Sequence, residues 1–344
     1  MYNPDQKPVY YSEYLQLDKI LDAQFPESDK INQSADDELL FIIIHQTYEL
    51  WFKQLLHEIN LVREIFKSQI IDDNGAHLYN AVHKLKRSVK ILEVLVQQIS
   101  VLETMTALDF LDFRDLLRPA SGFQSIQFKT IEAALGLHFQ DRFGKEYYTS
   151  QLNEKDVNRV KNAEEDKSLL TLINTWLERM PFLRNEGYWG ENQEEVPNFY
   201  KLYRDVYVQG LTPGETQQQG VFDSLFMNAA EYNQERKLSQ EASRNALFIF
   251  LYRDYPRLQL PFELIDTLLE IDGLLGLWRY RHIHMVQRTI GKRVGTGGST
   301  GAHYLKNAAE THYIFKEFSE LTSFLLPRRE IPTLPENLVK ELSY

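Results

Sequence analysis

The chain has 344 residues, of which 43% are apolar and 12% aromatic, enough to furnish a substantial core for one large domain or two ordinary ones. Its 38 Lys and Arg stand against 49 Asp and Glu, a formal charge of -11, which disfavours broad attraction to nucleic acid or an anionic membrane and leaves a small molecule or another protein as the expected partner. It has no cysteine, so disulfides, thiolate zinc sites, iron–sulfur clusters and cysteine nucleophiles are excluded together, and any metal must bind through His, carboxylate or a cofactor.

Residues 1–7 hold no apolar signal core, and no run approaches the roughly 18 apolar residues of a membrane span, so the sequence reads as a soluble, cytoplasmic protein. Ser34 precedes Asp36, Asp37 and Glu38, and the Ser34/Asp37 spacing resembles a capping box at the start of a long helix that should run to about Phe66. Its apolar positions, from Leu40 through Ile44, Trp51 and Leu55 to Phe66, recur at three and four residues so densely that the helix is expected to be buried on most sides. A second long helix is expected from about His77 to Glu103, with Leu78, Val82, Leu85, Val89, Leu92, Val96 and Ile99 as a core stripe.

Pro119 with Ser121 and Gly122 interrupts the pattern, and helix resumes from Gln124 to Leu137. Further helices are expected at about 154–180, 197–209, 222–233, 239–252, 261–292 and 302–325, with irregular segments at Asn185 to Pro197, Gly210 to Gly220 and after Pro327. Strand signals are few, and there is neither a repeat nor a distinct linker, so the fold should be all-α and one helical domain over 1–344.

Four places can carry chemistry. His45 shares a helix face with Phe41, Tyr48 and Phe52; such a histidine fits a satisfied core position as well as a site. His282, in Trp278-Arg279-Tyr280-Arg281-His282, has Leu275, Trp278 and Met285 on its face, while His284 points roughly 200° around the helix, so only one of the two can face a given pocket. No His-Glu-x-x-His occurs, which removes a helix-borne zinc protease site, whereas one axial imidazole on a heme iron needs no second ligand from its own helix. Together His45 and His282 suggest one histidine below a cofactor and one above it. Thr296 follows His282 by fourteen residues in the run Gly295 to Gly301, which is neither a P-loop nor a dinucleotide fingerprint; it is either a flexible connector or a loop that closes on a polar ligand. Arg114, after Phe110 and Phe113, can clamp a carboxylate through two parallel bonds or pair with Asp109, Asp112 or Asp115.

In combination these segments resemble the tryptophan 2,3-dioxygenase family: Tyr11 to Asp18, Glu38 to Lys53, Glu103 to Phe128 and Trp278 to Leu305, with Met105 to Phe110 and Gly295 to Ser299 the most specific runs. The resemblance implies an all-α heme enzyme that cleaves the indole C2–C3 bond of L-tryptophan with O2 to give N-formyl-L-kynurenine, first step of the kynurenine pathway. It implies heme b, one per subunit and ferrous when active, with His282 as the proximal iron ligand and Ser121 beside heme and substrate. His45 would lie on the distal side near the indole nitrogen, as the catalytic residue. Phe41, Ile42, Ile43, Ile44 and Phe110 would line the indole; Arg114 would hold the substrate carboxylate; Thr296 would bind the amino acid's polar end. Tyr11, Tyr14 and Leu15, in an N-terminal segment of about 1–33, would reach a neighbouring subunit's pocket in a homotetramer.

Two positions depart from the family's common pattern. Phe110 stands where some members carry tyrosine, and Asp36 where many have histidine. Trp176, Arg179 and Pro181 resemble part of a second tryptophan site found in some members, but the other contributors do not match, and no such site is expected. The alternatives are a related heme monooxygenase acting on tryptophan or another indole, separable by product mass, and a non-catalytic helical binding protein.

Overall fold

A computed structural model describes residues 8–68, 75–142, 152–191, 196–291, 293 and 311–343. Among these residues there is helix and no strand, in line with the all-α expectation. Two short helices, α1 (Tyr11–Leu15) and α2 (Leu17–Leu21), meet at Gln16 in the left-handed region (φ 52°), and neither buries a residue. After α3 (Glu27–Lys30) comes α4 (Asp36–Lys67).

The expected Ser34 cap does not form, because the start of α4 is tied to α3 instead. Ala35 is the N-cap, without a side-chain bond; its amide donates to Ser28 Oγ at 3.1 Å. The buried Glu38 carboxylate, in the first turn of α4, turns back to accept the amides of Glu27 and Ser28 at 2.8 and 2.9 Å. An acidic side chain at one helix start thus caps the helix before it.

α4 buries Ile44, Tyr48, Phe52, Leu55, Ile59, Val62 and Phe66 at three- and four-residue steps. It is not buried on most sides: Leu39, Ile43 and Leu50 are about half exposed, and their spacing sets them on one outward face. Every member of the expected second stripe, Leu78 to Ile99, is buried on α5 (Ala76–Leu102). α6 (Ala107–Arg114) opens with a full capping box between Thr106 and Asp109, and Ser125 caps α7 (Ile126–Leu135).

The single helix expected over 154–180 is two, α8 (Glu154–Glu165) and α9 (Leu169–Glu178). Arg63 of α4 makes the break: its Nε and Nη2 donate to the Lys167 carbonyl at 3.0 and 2.7 Å, taking that oxygen out of a helical ladder, and Ser168 caps α9. The region read as irregular contains α10 (Glu186–Trp189); α11 is Asn198–Gly210, and α12 (Gln217–Phe222) occupies part of another irregular segment. The helix expected over 222–233 is instead a π turn, Asp223–Met227, followed by a 3-10 turn, because buried Arg244 draws the Phe226 carbonyl aside with two bonds of 2.9 and 2.7 Å.

α13 (Gln240–Tyr252) is buried throughout its last eleven residues. α14 (Pro256–Ile290) starts earlier than expected, with Pro256 in its first turn and Pro261 within it, and lies along α5. Of the helix expected at 302–325 only α15 (Lys316–Glu320) and a following 3-10 turn are described; α16 (Glu336–Leu342) closes the chain. No single described helix is long and apolar enough to cross a membrane.

A buried ion cluster ties α7 to α14. Glu132 accepts Arg279 Nη2 at 2.6 Å and pairs also with Arg142, and Arg279 Nη1 donates to the His312 carbonyl at 3.1 Å. Burial alone would raise the Glu132 carboxyl, but the Arg142 and Arg279 charges outweigh it and hold its pKa at about 2. Replacing Glu132 by Gln removes the carboxylate that two buried guanidinium groups share, leaving Arg142 a longer approach to Glu164 at 3.7 Å and Arg279 the His312 carbonyl, and should cost about 3–5 kcal/mol in urea unfolding at pH 7; a loss under about 1 kcal/mol, the size of a surface pair, would contradict this role.

Candidate functional site

Position and local sequence bring His45 and His282 to one place from opposite ends of the chain. On α4 the His45 ring lies 4.1 Å from the Phe41 ring, and its Nδ1 is 2.7 Å from the Phe41 carbonyl. A carbonyl can only accept, so Nδ1 carries the proton and donates, leaving Nε2 with its lone pair in the neutral ring. His45 presents an accessible surface, yet the protein around it is dense enough that desolvation lowers its pKa, opposed by the Phe41 bond and the Glu49 charge.

On α14 the half-buried His282 stacks on Trp278, one turn earlier, with ring centroids 5.2 Å apart and planes 10° from parallel. Trp278 in turn meets Phe128 of α7 at 5.0 Å and, edge-on, Tyr48 and Phe52 of α4 at 6.1 and 6.4 Å. Burial lowers the His282 pKa to about 4, with a smaller contribution in the same direction from His45. His282 Nδ1 is buried with no hydrogen-bond partner in the described protein. His284 is exposed and packs edge-on against Tyr280, so of the two histidines it is His282 that faces inward.

The aromatic wall beside His45 is completed from α6. Phe41 meets Phe110 at 5.7 Å and Phe113 at 5.5 Å, and those two meet each other at 5.4 Å. Arg114, at the end of the same helix, is buried and forms an ion pair with Asp115, Nη1 to carboxylate 3.9 Å, one of the pairings the sequence offers, while Asp109 is held by its capping box with Thr106. Ser121 caps the 3-10 turn Gly122–Gln124, its Oγ accepting the Phe123 amide.

The other sequence-derived site residues divide clearly. Ile44 belongs to the core, Ile42 is half-buried, and Ile43 is exposed on the outward face. Tyr11 and Tyr14 are 76% and 75% exposed and Leu15 36%, so α1 reaches no site within its own chain. Thr296 and the whole Gly295 to Gly301 run lie outside the described residues.

Sequence reading missed Phe113, Phe128 and Glu49. Glu49 carried a usable signal, a carboxylate one turn after His45 in an apolar helix; its oxygens accept Ser125 Oγ at 2.6 Å and Gln127 Nε2 at 2.8 Å. Among the described residues no cluster of three or more His, Cys, Asp or Glu could chelate a metal ion. A neutral, orphaned imidazole therefore suits an iron whose remaining ligands come from a macrocycle, and His282 fits that demand.

Comparison with known proteins now bears on this arrangement. The family model described as tryptophan 2,3-dioxygenase matches residues 3–325. A tryptophan 2,3-dioxygenase of Alteromonas mediterranea is 42% identical, covering 98% of each chain. That of Dictyostelium discoideum is 41% identical over 98% of this chain and 89% of its own, and tryptophan 2,3-dioxygenase B of Danio rerio 39% over 96% and 86%.

The burial of neutral imidazoles fixes a pH dependence. His282 and His312 are both lowered to about 4, chiefly by desolvation, so between about pH 4 and 6.5 the unfolded chain binds more protons than the folded one. Stability of the ligand-free protein should therefore fall as the pH drops through that window, by up to about 1.4 kcal/mol per pH unit for each imidazole. Urea midpoints at pH 7 and pH 5 check this, and equal midpoints would contradict it.

Proposed function

The chain belongs to the tryptophan 2,3-dioxygenase family, and from that premise we propose that it opens the indole C2–C3 bond of L-tryptophan with dioxygen, giving N-formyl-L-kynurenine. The observation that carries this reading is that the helices of His45 and His282 meet in one aromatic seam: Trp278, stacked on His282, meets Tyr48 and Phe52, which share the His45 face of α4. His282 is the residue that would hold heme iron, backed by Trp278, with Ser121 beside the group. When bound, heme supplies the oxygen chemistry, by which both atoms of O2 enter the substrate.

The chain's own residues bind and orient. His45 Nδ1 is committed to the Phe41 carbonyl, so Nε2 is the acceptor for the indole N–H. Desolvation weakens this imidazole as a base, which suits an orienting bond better than removal of the proton. Phe41, Phe110 and Phe113 give the indole an apolar, water-excluding wall. At the end of α6, Arg114 takes the substrate carboxylate, and a guanidinium buried there discriminates a full amino acid from indole. Thr296 takes the polar end of the substrate.

The assembly is a homotetramer in which Tyr11, Tyr14 and Leu15 complete a neighbour's pocket. Its support is the exposure of these side chains and of Leu39, Ile43 and Leu50 on α4, apolar surface that a second subunit would cover.

Arg114→Ala should raise the tryptophan KM by about 30-fold or more, the equivalent of about 2–5 kcal/mol, at near-normal heme content; unchanged steady-state kinetics would remove Arg114 from the site. An inactive variant altered at Tyr11 and Tyr14, co-assembled with an inactive His282→Ala variant, should recover part of the activity, whereas mixtures that stay inactive would mean the arm serves its own chain.

A further inference from the structure

We infer that Glu49 is a positioning residue, a clip that holds the helix of His45 against the start of α7 and, through α7, fixes the backing of His282. The inference rests on the heme reading of those two imidazoles. Glu49 lies one turn beyond His45, and its carboxylate spends each oxygen on a different residue of the neighbouring segment: Oε1 accepts Ser125 Oγ at 2.6 Å, and Oε2 accepts Gln127 Nε2 at 2.8 Å. Gln127 Nε2 reaches the Glu49 backbone carbonyl as well, at 2.7 Å. The contact therefore registers main chain as well as side chain.

What the clip grips matters. Ser125 is the N-cap of α7, its Oγ also accepting the Phe128 amide, and it directly follows the turn that Ser121 opens. Ser121 is thus four residues upstream of the clip. Downstream, Phe128 packs on Phe52 at 5.4 Å and on Trp278 at 5.0 Å, and Trp278 stacks on His282 at 5.2 Å. His45, Glu49 and Phe52, at four and seven residues, share one face of α4. A slip of α7 along that face would move Ser121 and the support of His282 together relative to His45.

The carboxylate accepts from both partners with full charge. A glutamine at this position keeps one acceptor oxygen for Gln127 and has to turn its NH2 to the Ser125 hydroxyl, reversing that bond and removing the charge from both contacts. The Glu49 charge also faces His45 from the same helix; His282 faces it from α14, and α6, packed on α4, carries Asp109, Asp112 and Arg114.

The test uses the heme-loaded protein. Glu49→Gln should shift the iron–histidine stretching band of the ferrous protein in resonance Raman and raise the tryptophan KM about ten-fold, the scale on which supporting contacts act, with a smaller change in kcat. The pair Ser125→Ala with Gln127→Leu should move both readouts in the same direction and, combined with Glu49→Gln, give clearly less than the sum of the separate effects, since the carboxylate contacts are shared; the pair also removes the α7 cap and the bond to the Glu49 carbonyl, so it exceeds Glu49→Gln alone. If Glu49→Gln fails to fold, Ser125→Ala alone should give a smaller shift in the same direction. An unmoved band and KM in Glu49→Gln or Ser125→Ala, or effects that simply add, would overturn the clip. A wild-type protein with no iron–histidine band, or a band that survives His282→Ala, would overturn the heme reading first and the clip with it.

Discussion

The geometry of this protein depends on one buried carboxylate. Glu132 sits on α7 between Arg142 and Arg279, and Arg279 is three residues before His282 on α14. Two cations around a desolvated anion leave it no other charge state, so the pairing is permanent at any ordinary pH. α5 packs on both the helix that carries His45 and the helix that carries His282, and α7, packed on α4, adds a second tie to the latter through Glu132. The aromatic contacts of Phe128 with Phe52 and Trp278 fill the same seam. Charge fixes the register, and the rings fill the volume that register leaves.

That construction explains the chemistry available to the site. Burial lowers His282 to about 4, and desolvation by the surrounding protein lowers His45, whose tautomer is set by a backbone carbonyl; on the proposed reading the first would offer its lone pair to iron and the second would accept a bond from the substrate. Neither is suited to carrying a full proton. The wall beside His45 comes from α6, whose Phe110 and Phe113 meet Phe41 and whose last residue is the buried Arg114, the groups proposed to recognise the substrate. A desolvated site of this kind favours binding and orientation over acid–base work, which is what a cofactor-driven oxygenation asks of its protein.

Much of this is legible in the sequence, for reasons that can be named. The stripe Leu78 to Ile99 repeats at helical spacing because it faces one core, and each of its residues is buried. The angle between His282 and His284 allows only one of them into a pocket, and Leu275, Trp278 and Met285 on the face of His282 mark which. The errors have a common cause, long-range polar contacts that override local pattern. Arg63 splits the helix expected at 154–180 by holding the Lys167 carbonyl, and Arg244 turns a helix into a π turn by holding that of Phe226. Glu38 displaces the expected Ser34 cap in the same way. Partners 10 to 104 residues apart leave no periodic trace. Ile43 and Leu50 misled for a different reason: an apolar residue at helical spacing looks the same in sequence whether the folded chain buries it or leaves it exposed.

The central claim is that these helices hold tryptophan for attack by both atoms of dioxygen. The most direct measurement is to reduce the heme-loaded protein without air, admit L-tryptophan with isotopically labelled O2, and identify the product by absorbance and mass. N-formylkynurenine carrying both labelled oxygens is the predicted result. A product with one added oxygen, or no product from a protein that binds heme and tryptophan, would contradict it.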